Sequence, residues 1–247
     1  MTDKNLVTAA FIIIGNEILS GRTVDKNLNF LALELTALGV NLMEVRVVPD
    51  DESEIVEAVN QLRSKFDYVF TSGGIGPTHD DITSASIAKA FNDQLIKHKK
   101  AEQILISHYG KKNVNKARMK MAYIPSKAKL LDNPISSAPG FIVENVIVMA
   151  GIPAIMQTMF ADAKQYLKTG SKTISKELKL SLTESVIADD LENLQQKFNN
   201  VAMGSYPFKG GTSLVFRSTD KQNLEKSFNE MLSLINSKHK NAVIDIS

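Results

Sequence analysis

Val7 to Ile14 is an unbroken run of apolar and β-branched residues closed by Gly15. A strand with one wet face alternates polar and apolar residues, and this one does not. It therefore predicts a strand buried on both faces, as in a parallel sheet covered by helices. The residues that follow supply the cover. Asn27 to Leu38 spaces Leu28, Leu31, Leu35 and Leu38 for one helical face, with Gly39 as the stop. Val40 to Val48 reads as a second strand, Glu52 to Lys65 as a helix burying Ile55, Val56, Val59 and Leu62, and Tyr68 to Thr71 as a third strand. Two successive β-α-β units predict a doubly wound α/β architecture with right-handed crossovers. Beyond them, Thr83–Phe91, Ala101–His108 and Asn115–Ala122 read as helices, and Lys129–Leu131, Gly140–Val143 and Val146–Ala150 as short strands, the last two joined by a turn at Glu144-Asn145. Pro153 opens a helix that extends to Leu167.

Lys168-Thr169-Gly170-Ser171 is a polar break, and the pattern changes after it. Strand Ser175–Thr183, helix Ala188–Phe198, strands Val201–Tyr206 and Ser213–Arg217 around Gly210-Gly211, and helix Lys221–Ile235 make a β-α-β-β-α series. The expected organisation is an α/β domain with a mainly parallel sheet over 1–168 and a small α+β domain over 172–247, of split-βαβ or KH-like topology.

Composition narrows the function classes. The 247 residues are 43% hydrophobic and 23% charged, as in ordinary globular proteins, and contain no cysteine, so disulfides, thiolate nucleophiles and Cys-ligated metals are excluded. The formal charge of +2 argues against a nucleic-acid coat or a membrane-surface protein. Its distribution is uneven: residues 97–129 hold 10 Lys/Arg against 1 Asp/Glu. Ala9 to Ile14 is too short to span a membrane, and Asp3 argues against a signal peptide, so the cytoplasm is expected.

Ligands of such sheets bind beyond the carboxyl ends of the strands, and those ends carry the unusual residues. Gly73, Gly74 and Gly76, before Pro77, let successive N–H groups converge into a nest for phosphate oxygens, with Ser72 and Thr78 beside it. A helix expected from Thr83 adds positive charge. Asp50, Asp80 and Asp81 lie at adjacent strand ends and would repel a phosphate unless a divalent cation intervened, which makes them candidate metal ligands, with His79 a weaker one; each acid could equally cap a helix. Glu17 is a candidate polar wall or a turn residue. Asn115 and Arg118 in the basic segment are candidate phosphate contacts or part of a solvated face. Gly140 and Gly151 lie in Gly/Pro turns that either complete the rim or only punctuate the chain.

Gly15-Asn16-Glu17-Ile18-Leu19-Ser20-Gly21, Val24-Asp25-Lys26-Asn27, Thr71 to Thr83, Ala138-Pro139-Gly140-Phe141 and Gly151-Ile152-Pro153, in this order, resemble the MoaB/Mog-type molybdopterin-binding domain in its CinA-like (competence/damage-inducible) branch. The resemblance implies a three-layer α/β/α fold. It places the functional carboxylates of the Mog-like relatives on Asp50 and Asp81, as catalytic residues. It also implies that 172–247 corresponds to the small KH-type domain of CinA proteins, whose further amidase domain has no counterpart here. The function it implies is hydrolysis of a nucleotide pyrophosphate, ADP-ribose or FAD, with magnesium, cobalt or manganese. The alternatives are a molybdopterin-binding or adenylylating protein of cofactor biosynthesis, or a non-catalytic nucleotide-binding module. A homo-oligomer, with a dimer favoured, is expected, and the apolar face of Leu224, Phe228, Leu232 and Ile235 suits either its contact or packing on the small sheet. Nucleic-acid binding is not expected, because in 169–247 Gly210-Gly211 reads as a hairpin turn rather than a Gly-x-x-Gly loop between two helices, and the segment's net formal charge is only +1.

Overall fold

The computed structural model describes residues 6–247, so Asp3 lies outside them. The chain forms two compact units that divide after Gly170.

In the first unit, β1 (Val7–Ile14), α1 (Asn16–Leu19), α2 (Asn27–Ala37), β2 (Val40–Val48), α3 (Glu52–Lys65), β3 (Tyr68–Ser72) and α4 (Thr83–Ala90) come first. They are followed by β4 (Leu95–Lys97), α5 (Lys99–Tyr109), α6 (Lys116–Lys120), β5 (Tyr123–Pro125), β6 (Lys129–Leu131), β7 (Gly140–Val143), β8 (Val146–Met149) and α7 (Pro153–Ala163). Six strands form one sheet in the order β2-β1-β3-β8-β7-β6. The first four run parallel, β7 is antiparallel to β8, and β6 is antiparallel to β7.

The apolar run of β1 is explained by its surroundings. Ala10, Ile12 and Ile14 pack with Ile55, Val59 and Leu62 of α3 and Ile87 of α4. Ala9, Phe11 and Ile13 pack on the other face with Leu31 and Leu35 of α2 and with Met156 and Phe160 of α7. The result is a three-layer α/β/α sandwich. Gly39, at φ 72, takes the left-handed position after α2 that turns the chain into β2.

Three elements were not anticipated. The ribbon of β4 and β5 has strands of three residues, and α1 has four, too few to display a period. Helix α7 ends at Ala163 in a short 3-10 turn, Lys164–Tyr166, rather than running on to Leu167.

The second unit comprises β9 (Ile174–Leu180), α8 (Glu184–Lys197), β10 (Ala202–Phe208), β11 (Gly211–Ser218), α9 (Lys221–Lys238) and β12 (Val243–Ile246). Its antiparallel sheet has the order β10-β11-β9-β12. The last strand was not anticipated, and it completes a β-α-β-β-α-β series in which β11 lies between β9 and β10, the split-βαβ arrangement. The apolar face of α9 is occupied: Leu224, Phe228 and Ile235 are buried with Leu178, Leu180 and Phe216 of their own sheet, and Leu232 packs against the same cluster. Of the two uses this face suits, packing on its own sheet is the one it takes, and the oligomer contact is not. The glycines 210 and 211 form a hairpin turn, with Gly210 at φ 109, rather than a loop between helices. No helix among the described residues is long and apolar enough to cross a membrane.

Phe160 is fully buried and meets Phe30 and Phe70 with ring centroids 5.8 Å away in each case. Phe160→Ala should cost the first unit about 3–5 kcal/mol, read as a shift in its denaturant midpoint. A loss under about 1 kcal/mol would contradict a close-packed α2–sheet–α7 layer.

Candidate functional site

The carboxyl ends of β1, β3 and β8 open onto one edge of the sheet, and the Gly73–Ile82 loop is folded there by its glycines. Gly73 (φ 106) and Gly74 (φ 66) both occupy the left-handed region. A Cβ on Gly73 would lie 2.1 Å from Ile14 O, and one on Gly74 would lie 2.2 Å from Thr83 Oγ1. The Gly73 N–H donates to Met149 O at 3.2 Å, the Thr83 hydroxyl donates to Gly73 O at 2.9 Å, and the Thr83 N–H donates to Gly74 O at 2.9 Å. The first N–H of α4 is thus spent on the loop itself. The N–H groups of Gly74, Ile75 and Gly76 have no partner among the described residues, and these residues line a cavity of about 610 Å³.

Glu17, Asp81, Arg118 and Gly151 line the same cavity. Asp81 Oδ2 accepts from the Thr78 N–H at 2.7 Å and from the Thr78 hydroxyl. A Cβ on Gly76 would lie 2.7 Å from Asp81 Oδ2, so the third glycine lets this carboxylate approach the nest. Glu17 folds back on Gly15, where a Cβ would lie 2.5 Å from its Oε2. Arg118 stacks its guanidinium 4.2 Å from the Tyr109 ring centroid and donates from Nη1 to Asn113 O at 2.7 Å. Gly151 approaches Gly73 closely, and its carbonyl accepts from Asn27 Nδ2 at 2.8 Å.

The other candidates are placed elsewhere. Asp50 does not line the cavity; its Oδ2 accepts the Asn16 N–H at 2.9 Å and ties the start of α1 to the end of β2. Its neighbour Asp51 caps α3, and the Ser53 hydroxyl and the Glu54 N–H hold its carboxyl below the ordinary range. Asp80 is exposed and does not line the cavity. His79 belongs to a neighbouring groove with Lys116 and Lys120. Thr78 serves Asp81 rather than the cavity, and Ser72 is buried beside a smaller cavity of about 60 Å³. Asn115 caps α6 by accepting the Arg118 N–H at 2.9 Å, so it acts through the helix that carries Arg118. Gly140 is buried in β7, where a Cβ would lie 2.6 Å from Val148 O; its role is strand packing.

Several lining residues were missed, chiefly Tyr109, Asn133 and Ser136. Asn133 is buried and builds the wall, donating from Nδ2 to Ser136 Oγ at 2.6 Å and to Ala138 O at 2.8 Å. Its Asn-Pro step was the available signal.

No group of three His, Asp or Glu side chains among the described residues converges as a metal cluster. That excludes an all-protein cage of Asp50, Asp80 and Asp81. It leaves the arrangement magnesium favours, one or two carboxylates completed by substrate phosphates and water, and the cavity acids Glu17 and Asp81, with Asp81 Oδ1 unengaged among the described residues, fit that donor set.

Comparison with known proteins divides the chain at the same break. Residues 10–169 match the family described as a probable molybdopterin binding domain, and residues 172–243 match the FAD synthase middle domain. A protein of Archaeoglobus fulgidus is 35% identical over 92% of this chain and 99% of its own length. A protein of Clostridium botulinum named as competence-damage inducible is 32% identical over 92% of this chain, which spans only 57% of that relative. The crystal structure of the protein CinA, of unknown function, from Thermoplasma acidophilum is 35% identical and superimposes with a TM-score of 0.63 over 66% of this chain and 99% of its own.

Two glycine substitutions separate a binding loop from a packing one. Gly74→Val adds backbone strain of about 1–3 kcal/mol and should weaken binding of inorganic pyrophosphate at least tenfold, measured by calorimetry in chelator. Gly140→Ala should lower stability by about 1–3 kcal/mol and leave that affinity unchanged. Equal affinity for Gly74→Val and the parent would reduce the loop to a turn.

Proposed function

Starting from its membership of the molybdopterin-binding-domain family, in the competence-damage inducible (CinA-like) branch, we propose that this chain binds a nucleotide pyrophosphate of the FAD or ADP-ribose type and hydrolyses it with a divalent metal. The reading is supported by one cavity lined by Gly74, Ile75 and Gly76, whose N–H groups have no partner among the described residues, together with Arg118, Glu17 and Asp81. Its volume of about 610 Å³ lies within the ordinary range for small-ligand sites.

Each residue has a defined task in this reading. The N–H groups of Gly74, Ile75 and Gly76 hold phosphate oxygens, as backbone nests do. Arg118, kept in place by Tyr109 and Asn113, offsets the charge of the second phosphate. Asp81 and Glu17 hold the metal, magnesium, cobalt or manganese, which when bound lowers the pKa of a coordinated water and clamps the phosphates. Thr78 is a positioning residue, since its N–H and hydroxyl fix Asp81 Oδ2 and leave Oδ1 for the ion. Asp50 acts at a distance, by holding the Gly15–Asn16 turn from which Glu17 projects.

The match of 172–243 to the FAD synthase middle domain favours a flavin dinucleotide over ADP-ribose. The family description supports a second reading, in which the same nest holds the phosphate of a molybdopterin without turnover. Purified protein incubated with FAD, ADP-ribose or molybdopterin and each metal separates the two. Hydrolysis of a dinucleotide supports the first, and tight pterin binding without turnover supports the second. Asp81→Ala should lower metal-dependent turnover by at least a hundredfold with an unchanged melting temperature. Asp50→Ala should lower it less, because it removes only a positioning bond. Full activity of Asp81→Ala would overturn the assignment.

A further inference from the structure

The segment 97–129 holds 10 Lys/Arg against one acid, and the cavity described above uses only Arg118 of them. The acid, Glu102, is taken by Lys97 at 2.8 Å. Two of the remaining cations, Lys116 and Lys120 of α6, line a second cavity, also of about 610 Å³. Pro77, His79, Met119 and Tyr123 form most of the rest of its wall, and no Asp or Glu among the described residues contributes to it. Lys120 Nζ donates to Thr78 O. The side chains of Lys116 and His79 have no hydrogen bond or ion pair among the described residues. The two cavities adjoin. Pro77 lines both, and a recess of about 40 Å³ is walled by Gly76 and Asp81 of the first and by Lys120 and Tyr123 of the second. Gly76 and Thr78 are two residues apart, so their Cα atoms are separated by at most about 7 Å, a distance that one ribose spans.

We propose that this second cavity holds a phosphate monoester carried on the ribose of the bound nucleotide, so that the site selects a nucleotide with a 2′- or 3′-phosphate in addition to its 5′-pyrophosphate. The proposal rests on the reading of the nest as the pyrophosphate site. In that reading the nest, Arg118 and the metal already answer the charge of the pyrophosphate, and the nucleoside halves of ADP-ribose and FAD are uncharged. Two ammonium groups and an imidazole with no carboxylate among them have nothing in those halves to balance. A dianionic monoester supplies the balance, and lysine is a point-charge binder of phosphate. Lys120 is held next to the nest loop by Thr78 O, and Lys116 and His79 are left to approach the monoester from the cavity wall. Tyr123, 40% exposed, and Met119 give the same cavity an apolar flank for the base. Neither the nest nor Arg118 distinguishes such a nucleotide from its unphosphorylated form, so the selectivity falls to Lys116, Lys120 and His79.

Calorimetry in chelator, which withholds the metal and so prevents turnover, tests this with two ligand pairs: ADP-ribose against ADP-ribose 2′-phosphate, and ADP against adenosine 3′-phosphate 5′-diphosphate. The parent should bind the phosphorylated member of at least one pair about tenfold or more tightly, the contribution of one hydrogen bond to a charged group. The pair that shows the difference fixes the position of the phosphate. Lys116→Gln combined with His79→Gln should remove most of that preference and leave the affinity for the unphosphorylated member at the parent's value, which also shows that the variant is folded. Lys111→Gln, exposed in the same basic segment but outside the cavity wall, should keep the preference. Equal affinities within both pairs, a preference that survives in the double variant, or a loss as large in Lys111→Gln would overturn the proposal and leave the pyrophosphate reading standing. No binding of ADP-ribose, ADP or inorganic pyrophosphate would overturn both.

Discussion

The hydrogen bond from Gly73 N–H to Met149 O carries the β3·β8 pairing one residue past the regular strand, and the loops of the candidate site are arranged around it. At that point the chain enters left-handed backbone for two residues, and there is no room for a side chain on either side of it: Ile14 O crowds Gly73, and Thr83 Oγ1 crowds Gly74. Gly151 lies against Gly73 and accepts from Asn27. The ends of β1, β3 and β8 and the start of α2 are therefore fixed by a contact that only glycine permits. The three residues that follow line the cavity, and their N–H groups have no partner among the described residues.

The charge problem posed by many acids beside an anion site is solved mainly by turning acids away. Asp50 accepts the Asn16 N–H at the end of β2, Asp51 caps α3, and Asp80 is exposed, all three outside the cavity lining. Of these acids only Glu17 and Asp81 line the cavity, together with a single guanidinium held by an aromatic ring and a carbonyl. A cavity with that balance accepts an anion accompanied by a cation more readily than an anion alone.

Most of both units could be read from the chain because its signals are long. The β1 run, the leucines of α2 and the periods of α3 and α9 each extend over several turns or a whole strand, and all appear at or near their expected limits. The missed pieces, α1, β4, β5 and β12, span three or four residues, and pairing rather than local pattern creates them. The glycine loop was legible as a nest because its residues act through the backbone. The acids were legible only as neighbours at strand ends. Which of them faces the cavity depends on bonds to Asn16 and Thr78 that spacing does not encode. The apolar face of α9 suits a sheet or a partner equally well as a pattern, and β12 with its sheet decided it.

Everything functional in this account rests on the nest being an anion site. Backbone amide chemical shifts recorded while inorganic pyrophosphate is added in chelator report on it residue by residue. The account predicts saturable shifts at Gly74, Ile75 and Gly76, with the Gly73 and Thr83 amides moving little because they are already bonded. Saturation without movement of those three amides, or no saturation at millimolar pyrophosphate, would contradict it.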